Sequence, residues 1–185
     1  SADTHLLHMR FAGFPGIDFY FKDEAAHPTG SLKHRLARSL FLYALCNGRL
    51  REGQAVVDAS SGSTAISEAW FARLLGLPFV AVMPACTAPA KIEAVLALGG
   101  RCELTEAGIC TQARAREIAD EGACFLDQFG LAERATPAGS SPPVLPGGLG
   151  DNVTAITMVS GIMAALFHRE RTGQGQLIEV PMFET

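Results

Sequence analysis

The chain has 185 residues, 48% hydrophobic and 18% charged, with a formal net charge of -4. These values fit a globular α/β protein of one large or two small domains and exclude disordered and fibrous classes. They argue against a nucleic-acid partner as well, because the basic pairs Arg49/Arg51 and Arg169/Arg171 form no stripe.

The N-terminal Ser1-Ala2-Asp3-Thr4-His5 is polar and carries no secretory pattern. The first residue is not Met, which implies a processed or missing N-terminus. Residues Ile17 to Lys22 alternate as a strand does and run into the turn Pro28-Thr29-Gly30. A helix is predicted from Ser31 to Cys46, with Leu32, Leu36, Leu40, Tyr43 and Ala44 on one face and Asn47-Gly48 as its stop. A short β-branched strand, Gln54 to Asp58, leads through a hydroxyl-rich loop into a helix from Thr64 to Leu75. The alternation continues with strand Phe79–Met83, helix Pro89–Leu98, strand Arg101–Leu104, helix Thr111–Glu121 and strand Ala123–Leu126. Strands alternating with helices of this length predict a parallel sheet of βαβ units.

From Ala135 to Asp151 prolines, glycines and serines crowd together as in a linker. A helix from Asn152 to Arg169, a Thr172-Gly173-Gln174-Gly175 turn and a strand Gln176–Val180 are expected to follow. The apolar run Val153 to Phe167 is interrupted by Thr154, Thr157, Ser160 and Gly161. It falls short of the roughly 20 residues a bilayer span needs, so no membrane partner is expected. Five cysteines (Cys46, Cys86, Cys102, Cys110, Cys124) show no CxxC spacing. They read as reduced, mostly buried thiols of a cytoplasmic protein, with no metal site.

Two motifs carry chemistry. His27-Pro28-Thr29-Gly30-Ser31-Leu32-Lys33-His34-Arg35 places a lysine at a helix start. Ser60-Ser61-Gly62-Ser63-Thr64 places hydroxyls and backbone N–H groups where a strand gives way to a helix, the usual ligand position of an open parallel sheet. An amine beside an anion-binding loop is a minimal kit for holding an aldehyde cofactor as a Schiff base. Read singly, Lys33 is a solvated first-turn residue and the serine loop an ordinary helix cap.

Together the motifs closely resemble the fold-type II pyridoxal-phosphate enzymes, the family of cysteine synthase and cystathionine β-synthase. Lys22-Asp23-Glu24 leading to the lysine motif resembles the family's lysine signature. Ala59 through Ile66 resembles its substrate-carboxylate loop. His27 before Pro28 and the later Asp127-Gln128-Phe129 are most similar to cysteine synthase-like L-cysteine desulfhydrases.

The resemblance covers about residues 1–136. It implies pyridoxal 5′-phosphate as cofactor, Lys33 as the Schiff-base lysine that moves the α-proton, and Ser60, Ser61, Gly62 and Thr64 as binders of the substrate carboxylate. Ser63 stands where the family commonly has an Asn that contacts the cofactor's 3′-oxygen. Implied too is β-elimination or β-replacement on cysteine or a related amino acid; a homo-oligomer is expected besides, from apolar surface left exposed where a missing half-sheet would pack. The family's phosphate-binding loop belongs to its C-terminal half and is not recognisable here; Gly147-Gly148-Leu149-Gly150, after Pro146 and before Asp151, makes a poor phosphate cradle.

Over about residues 140–185 the tail, with Gly150-Asp151-Asn152 through His168-Arg169-Glu170-Arg171-Thr172-Gly173-Gln174-Gly175 to Pro181-Met182-Phe183-Glu184, is similar instead to the family III CoA-transferases. The resemblance places that family's nucleophilic aspartate upstream of the matching stretch, so Asp151 and His168 receive no catalytic role. The expected organisation is a truncated PLP-enzyme-like domain over 1–136, a linker over 137–150 and a CoA-transferase-like helix-strand segment over 151–185. Two other readings stay open: a non-catalytic α/β interaction module arising from a gene fusion or rearrangement, and CoA-ester chemistry through the tail.

Overall fold

The computed structural model describes residues 4–135 and 149–178. The chain divides into two units, Ser1–Thr136 and Pro137–Thr185.

In the first unit a β-hairpin precedes the α/β core. Strands β1 (Leu6–Met9) and β2 (Phe19–Lys22) pair antiparallel, with Leu6 opposite Lys22 and Met9 opposite Phe19. The Ile17–Lys22 segment thus contributes a strand, but to a separate two-stranded sheet whose first member the sequence reading did not identify. Edge-to-face contacts of Phe11 with Phe19 and Phe21, and of Phe14 with Phe19, hold the hairpin together. It leaves Leu6, Leu7, Phe14 and Tyr20 exposed, with Leu6 and Tyr20 on one face and Leu7 on the other.

Helix α1 (Lys33–Cys46) buries Leu36, Ala37, Leu40, Phe41 and Ala44, a stripe at helical spacing. Its chain reverses at Gly48, whose φ of 67° lies in the left-handed region that glycine tolerates. The four strands β3 (Val56–Ala59), β4 (Phe79–Pro84), β5 (Arg101–Thr105) and β6 (Cys124–Phe125) form one parallel sheet in the order β5-β4-β3-β6. The central strands β3 and β4 are buried nearly end to end, as expected where both faces are covered.

Alternation along β3 decides what each face meets. Val57 and Ala59 join Val80, Val82, Ala115 and Ile118 in a cluster under α4 (Thr111–Asp120). Val56 and Asp58 fall on the opposite face, the side of α2 (Ser63–Leu74). Helix α2 approaches closely through small residues, Ala65, Ala69 and Ala72, each almost wholly buried. After α3 (Pro89–Ala97) the chain turns through Gly100, where a Cβ would sit 2.8 Å from Val95 Cγ1 and 3.2 Å from the Val95 carbonyl oxygen. Only glycine fits that crossing without a shift. The final helix of this unit, α5 (Gln128–Ala135), was not foreseen. Asp127 nucleates it: its Oδ1 accepts the Gly130 N–H at 3.1 Å, and the residue holds a φ of 49°.

The second unit contains α6 (Leu149–Thr172), closed at Gly173. Its first two residues belong to the stretch expected as linker; residues 136–148 lie outside the described part. The expected strand Gln176–Val180 does not form over residues 176–178, and its last two residues lie outside the described part. Instead Ile178 packs on the helix, with its Cγ2 3.0 Å from where a Cβ on Gly161 would stand. Among the described residues that segment finds no strand to pair with, and a strand cannot satisfy its own backbone groups alone.

The thiols also depart from expectation. All five cysteines are free, but Cys46, Cys86 and Cys110 are exposed and only Cys124 is buried. Each exposed one lies in a helix end or connecting turn, where the chain returns to solvent.

Candidate functional site

The two motifs converge on one region. Ser60 follows the carboxyl end of β3, and its N–H donates to the Val82 carbonyl of β4 at 3.0 Å. The loop therefore opens at the carboxyl edge of the sheet, where parallel α/β folds place their ligands. A shallow cleft of about 170 Å³ lined by Ala72, Leu77, Phe79 and Gly100 lies by the opposite, amino ends of the strands. It contains none of the residues of either motif.

In the hydroxyl loop, Ser60 Oγ accepts the Ala65 N–H at 3.2 Å and the Gly62 N–H at 3.5 Å. That hydroxyl shapes its own loop and has only its O–H to offer a ligand. Ser61 and Ser63 are half-buried, and Thr64 is buried at the head of α2. Gly62 has φ -117° and ψ -157°, an extended conformation open to any residue. Its value is space: a Cβ there would meet only Lys91 Nζ, 3.9 Å away. Lys91, in the first turn of α3, thus sets an ammonium beside the loop. Sequence alone does not single it out, since it lies 29 residues downstream of Gly62 with no motif of its own.

Lys33 is the first residue of α1 and is half-buried, with its N–H donating to Ser31 Oγ at 3.2 Å. The preceding turn is held by charge. Glu24 takes both guanidinium arms of Arg35, at 2.6 Å and 2.9 Å, while His27 Nε2 lies 3.0 Å from it and Thr4 donates to it at 3.1 Å. The Arg35 guanidinium, opposed in part by burial and aided by His27 and Thr4, holds the Glu24 carboxyl down at about 2. A fork-to-fork arginine–carboxylate pair of this kind fixes geometry as well as charge.

A chain of hydrogen bonds joins the two loops. Ser67 Oγ must donate to the Ser63 carbonyl at 2.9 Å, since a carbonyl only accepts. Its contact with Thr29 Oγ1 at 2.9 Å is then donated by Thr29, and the 3.2 Å contact between Thr29 and His34 Nδ1 is donated by the imidazole. The order His34 → Thr29 → Ser67 → Ser63 requires a proton on His34 Nδ1. That ring is buried between His27, Trp70 and Phe71. Thr29 and Ser67 thus join the set of site residues that sequence reasoning missed; Thr29 stood inside the lysine motif, but nothing in the chain pairs it with Ser67.

Beneath the loop lie two buried acids. Asp58 on β3 is 1% exposed and Glu68 on α2 is fully buried. Burial pushes the Glu68 carboxyl well up, and the neighbouring Asp58 charge pushes it further. Burial raises Asp58 to about 6, against the opposing hydrogen bonds from Glu68 and from the Ala59 and Gln128 N–H groups. Gln128, at the head of α5, donates its N–H to Asp58 Oδ1 at 3.4 Å and its Nε2–H to the Ala59 carbonyl at 3.0 Å.

This geometry has known counterparts. Residues 2–141 match the family model described as pyridoxal-phosphate dependent enzyme. Residues 112–185 match that of CoA-transferase family III. The second match reaches back beyond residue 140, where the tail resemblance was expected to begin, and overlaps the first over α4, β6 and α5. Over 141 residues the chain is 56% identical to an L-cysteine desulfhydrase of Mycobacterium tuberculosis, covering 74% of this chain and 38% of that protein. It is 38% identical over 90 residues to a cysteine synthase of Aquifex aeolicus, covering 49% of this chain and 28% of the other. The crystal structure of an O-ureido-L-serine synthase superimposes with a TM-score of 0.64 at 30% identity, covering 69% of this chain and 42% of that one. The chain spans less than half the length of each. With a lysine-bearing helix start and a hydroxyl loop meeting at the carboxyl edge of a parallel sheet, and with a family match over most of its length, the chain belongs to the pyridoxal-phosphate dependent enzymes.

Proposed function

We propose that this chain acts on cysteine or a related β-substituted amino acid as a lyase or synthase, with Lys33 as its covalent anchor for pyridoxal phosphate. The observation that carries the reading is the His34–Thr29–Ser67–Ser63 chain, which couples the lysine loop to the hydroxyl loop. The donor set fits half of the cofactor's needs. An amine heads α1, and the open face of Gly62 admits a ligand to the backbone of the neighbouring loop. Residues 147–148, in the glycine run considered for the phosphate, lie outside the described part.

Bound pyridoxal phosphate supplies the electron sink that allows loss of an α-proton and a β-substituent. Lys33 Nζ would hold the cofactor and, once released, carry the substrate's α-proton. The Ser61 hydroxyl, the Ser60 O–H, the backbone at Gly62 and the buried Thr64 would bind the α-carboxylate, helped by the partial positive charge at the start of α2. Ser63 would face the cofactor ring from the same loop, and the Lys91 ammonium would add charge at its rim.

In this proposal residues 1–136 form the PLP-type unit, 137–150 connect it onward, and 151–185 form a CoA-transferase-like appendage without a nucleophile. A homo-oligomer in the cytoplasm is the expected setting. Borohydride reduction of the full chain mixed with pyridoxal phosphate, followed by peptide mass mapping, tests the anchor. A reduced adduct on Lys33 that Lys33→Ala abolishes is expected, together with sulfide release from L-cysteine by the unreduced protein. No adduct at saturating cofactor would defeat the proposal.

The exposed apolar side of the hairpin, with Leu6 64% and Tyr20 62% exposed, favours a second reading as an interaction module. Self-association lost on Leu6→Lys, in a protein that forms no Lys33 adduct, would establish that reading instead.

A further inference from the structure

Nothing in the proposed chemistry uses Asp58 or Glu68, yet among the described residues they are the two buried acids. Both Glu68 oxygens and Asp58 Oδ2 are sealed from solvent with no hydrogen-bond partner among the described residues, and the two carboxyls neighbour each other. Two ionised carboxylates cannot share such a space: an unpaired buried charge costs several kcal/mol, and two of like sign repel as well. The arrangement closes if one carboxyl keeps its proton and donates it to the other. Glu68 is the natural donor, having no other partner, whereas Asp58 already accepts from the Gln128 N–H.

We propose that Glu68 and Asp58 share one buried proton that latches the first turns of α2, and with them the Ser60–Thr64 loop, onto β3 and the head of α5. Asp58 lies two residues before Ser60, and Glu68 lies one turn after Thr64, so the pair bridges the two ends of the loop. Through Gln128 the latch reaches α5. Removing the proton to solvent leaves two facing anions, and the loop must open to hydrate them.

Asp127, in the turn before α5, adds a like charge that disfavours ionisation of Asp58. Across the sheet β4 places Ala81 beside Asp58, and β6 pairs Phe125 with Val57. On α1, which also carries Lys33, Arg35 and Arg38, His34 is engaged with Thr29 and lies against Trp70 and Phe71 of α2. On α3, which also packs on α2, Lys91 is exposed at the rim of the loop beside Gly62, and neither it nor any other cation among the described residues donates to Asp58 Oδ2 or to either Glu68 oxygen. Both acids take up their protons more readily folded than unfolded, so this contribution to stability is complete at low pH. It declines as pH rises out of the ordinary carboxylate range, through about 6 for Asp58 and beyond for Glu68.

The latch is independent of cofactor, so its test needs none. Amide hydrogen exchange of peptides spanning residues 60–68 in the full chain, corrected for intrinsic rate, is followed with pH; fluorescence of Trp70, the single tryptophan, is followed in parallel. In the wild type the opening equilibrium should rise above neutrality by up to about tenfold per pH unit, the limit for one released proton. Glu68→Gln, which can still donate to Asp58 but cannot ionise, should stay protected across the same range. A merely structural glutamate would leave the two slopes equal, and equal slopes overturn the proposal. If Glu68→Gln does not fold, Asp58→Asn serves, with a flattened slope in support and an unchanged slope against. The infrared carbonyl band of a protonated carboxylic acid should persist in the wild type above neutral pH; its absence overturns the shared proton directly.

Discussion

The two loops of this site are held by opposite electrostatics. The lysine loop hangs on an ionised carboxylate, Glu24, satisfied by Arg35, His27 and Thr4 near the surface. The hydroxyl loop rests on carboxyls buried so deeply that one must stay protonated. The same chemical group does contrary work in the two places because hydration, not the number of partners, sets the cost of its charge. One loop is therefore weakened by acid and the other by alkali, and both are sound only between.

The largest effect should come from removing the charged anchor. Glu24→Ala strips the acceptor from Arg35, His27 and Thr4 together, with an expected loss of about 2–3 kcal/mol in urea unfolding at unchanged m. Its consequence should also appear at the head of α1, as weaker cofactor capture by Lys33.

Breaking the bridge between the loops should cost less. Thr29→Val keeps the shape but leaves His34 Nδ1–H without its acceptor and Ser67 without its donor. About 1–2 kcal/mol is expected by thermal unfolding. If the bridge also aligns the loops, the variant should raise KM for the amino acid without a matching fall in stability at the hairpin. Equal KM in variant and wild type would reduce Thr29 to a packing residue.

The acid side of the comparison is read from Glu24 alone. A depressed carboxyl contributes its stability above the ordinary carboxylate range and loses it as pH falls toward about 2. Glu24→Gln should flatten that acid limb while leaving the alkaline limb in place. Glu68→Gln should do the reverse. A variant that moved both limbs would show that the loops unfold as one.

The smallest effect is expected at Lys91. It is exposed, so Lys91→Met should leave stability unchanged within a few tenths of a kcal/mol. Carboxylate binding at the loop should weaken a few-fold, and more so at low ionic strength. Gly62→Ala, by contrast, fits sterically beside Lys91 Nζ and should fold normally while blocking close approach of the ligand.

Much of this protein was legible in its residues alone. Helices such as Lys33–Cys46 and strands such as Phe79–Pro84 follow from local periodicity, and Gly48 and Gly76 close their helices by a backbone preference that needs no neighbours. The lysine and hydroxyl motifs were visible for the same reason, since each is a continuous stretch of chain. Only tertiary structure could decide the rest. Leu6–Met9 becomes a strand because Phe19–Lys22 lies beside it, and Gln176–Ile178 stays irregular among described residues that offer it no strand. The contact of Thr29 with Ser67, the ammonium of Lys91 beside Gly62, and the meeting of Asp58 with Glu68 each join separate elements. Sequence carries the identity of such groups; the cost of burying their charge, which decides what they do, exists only once folding has removed the water around them.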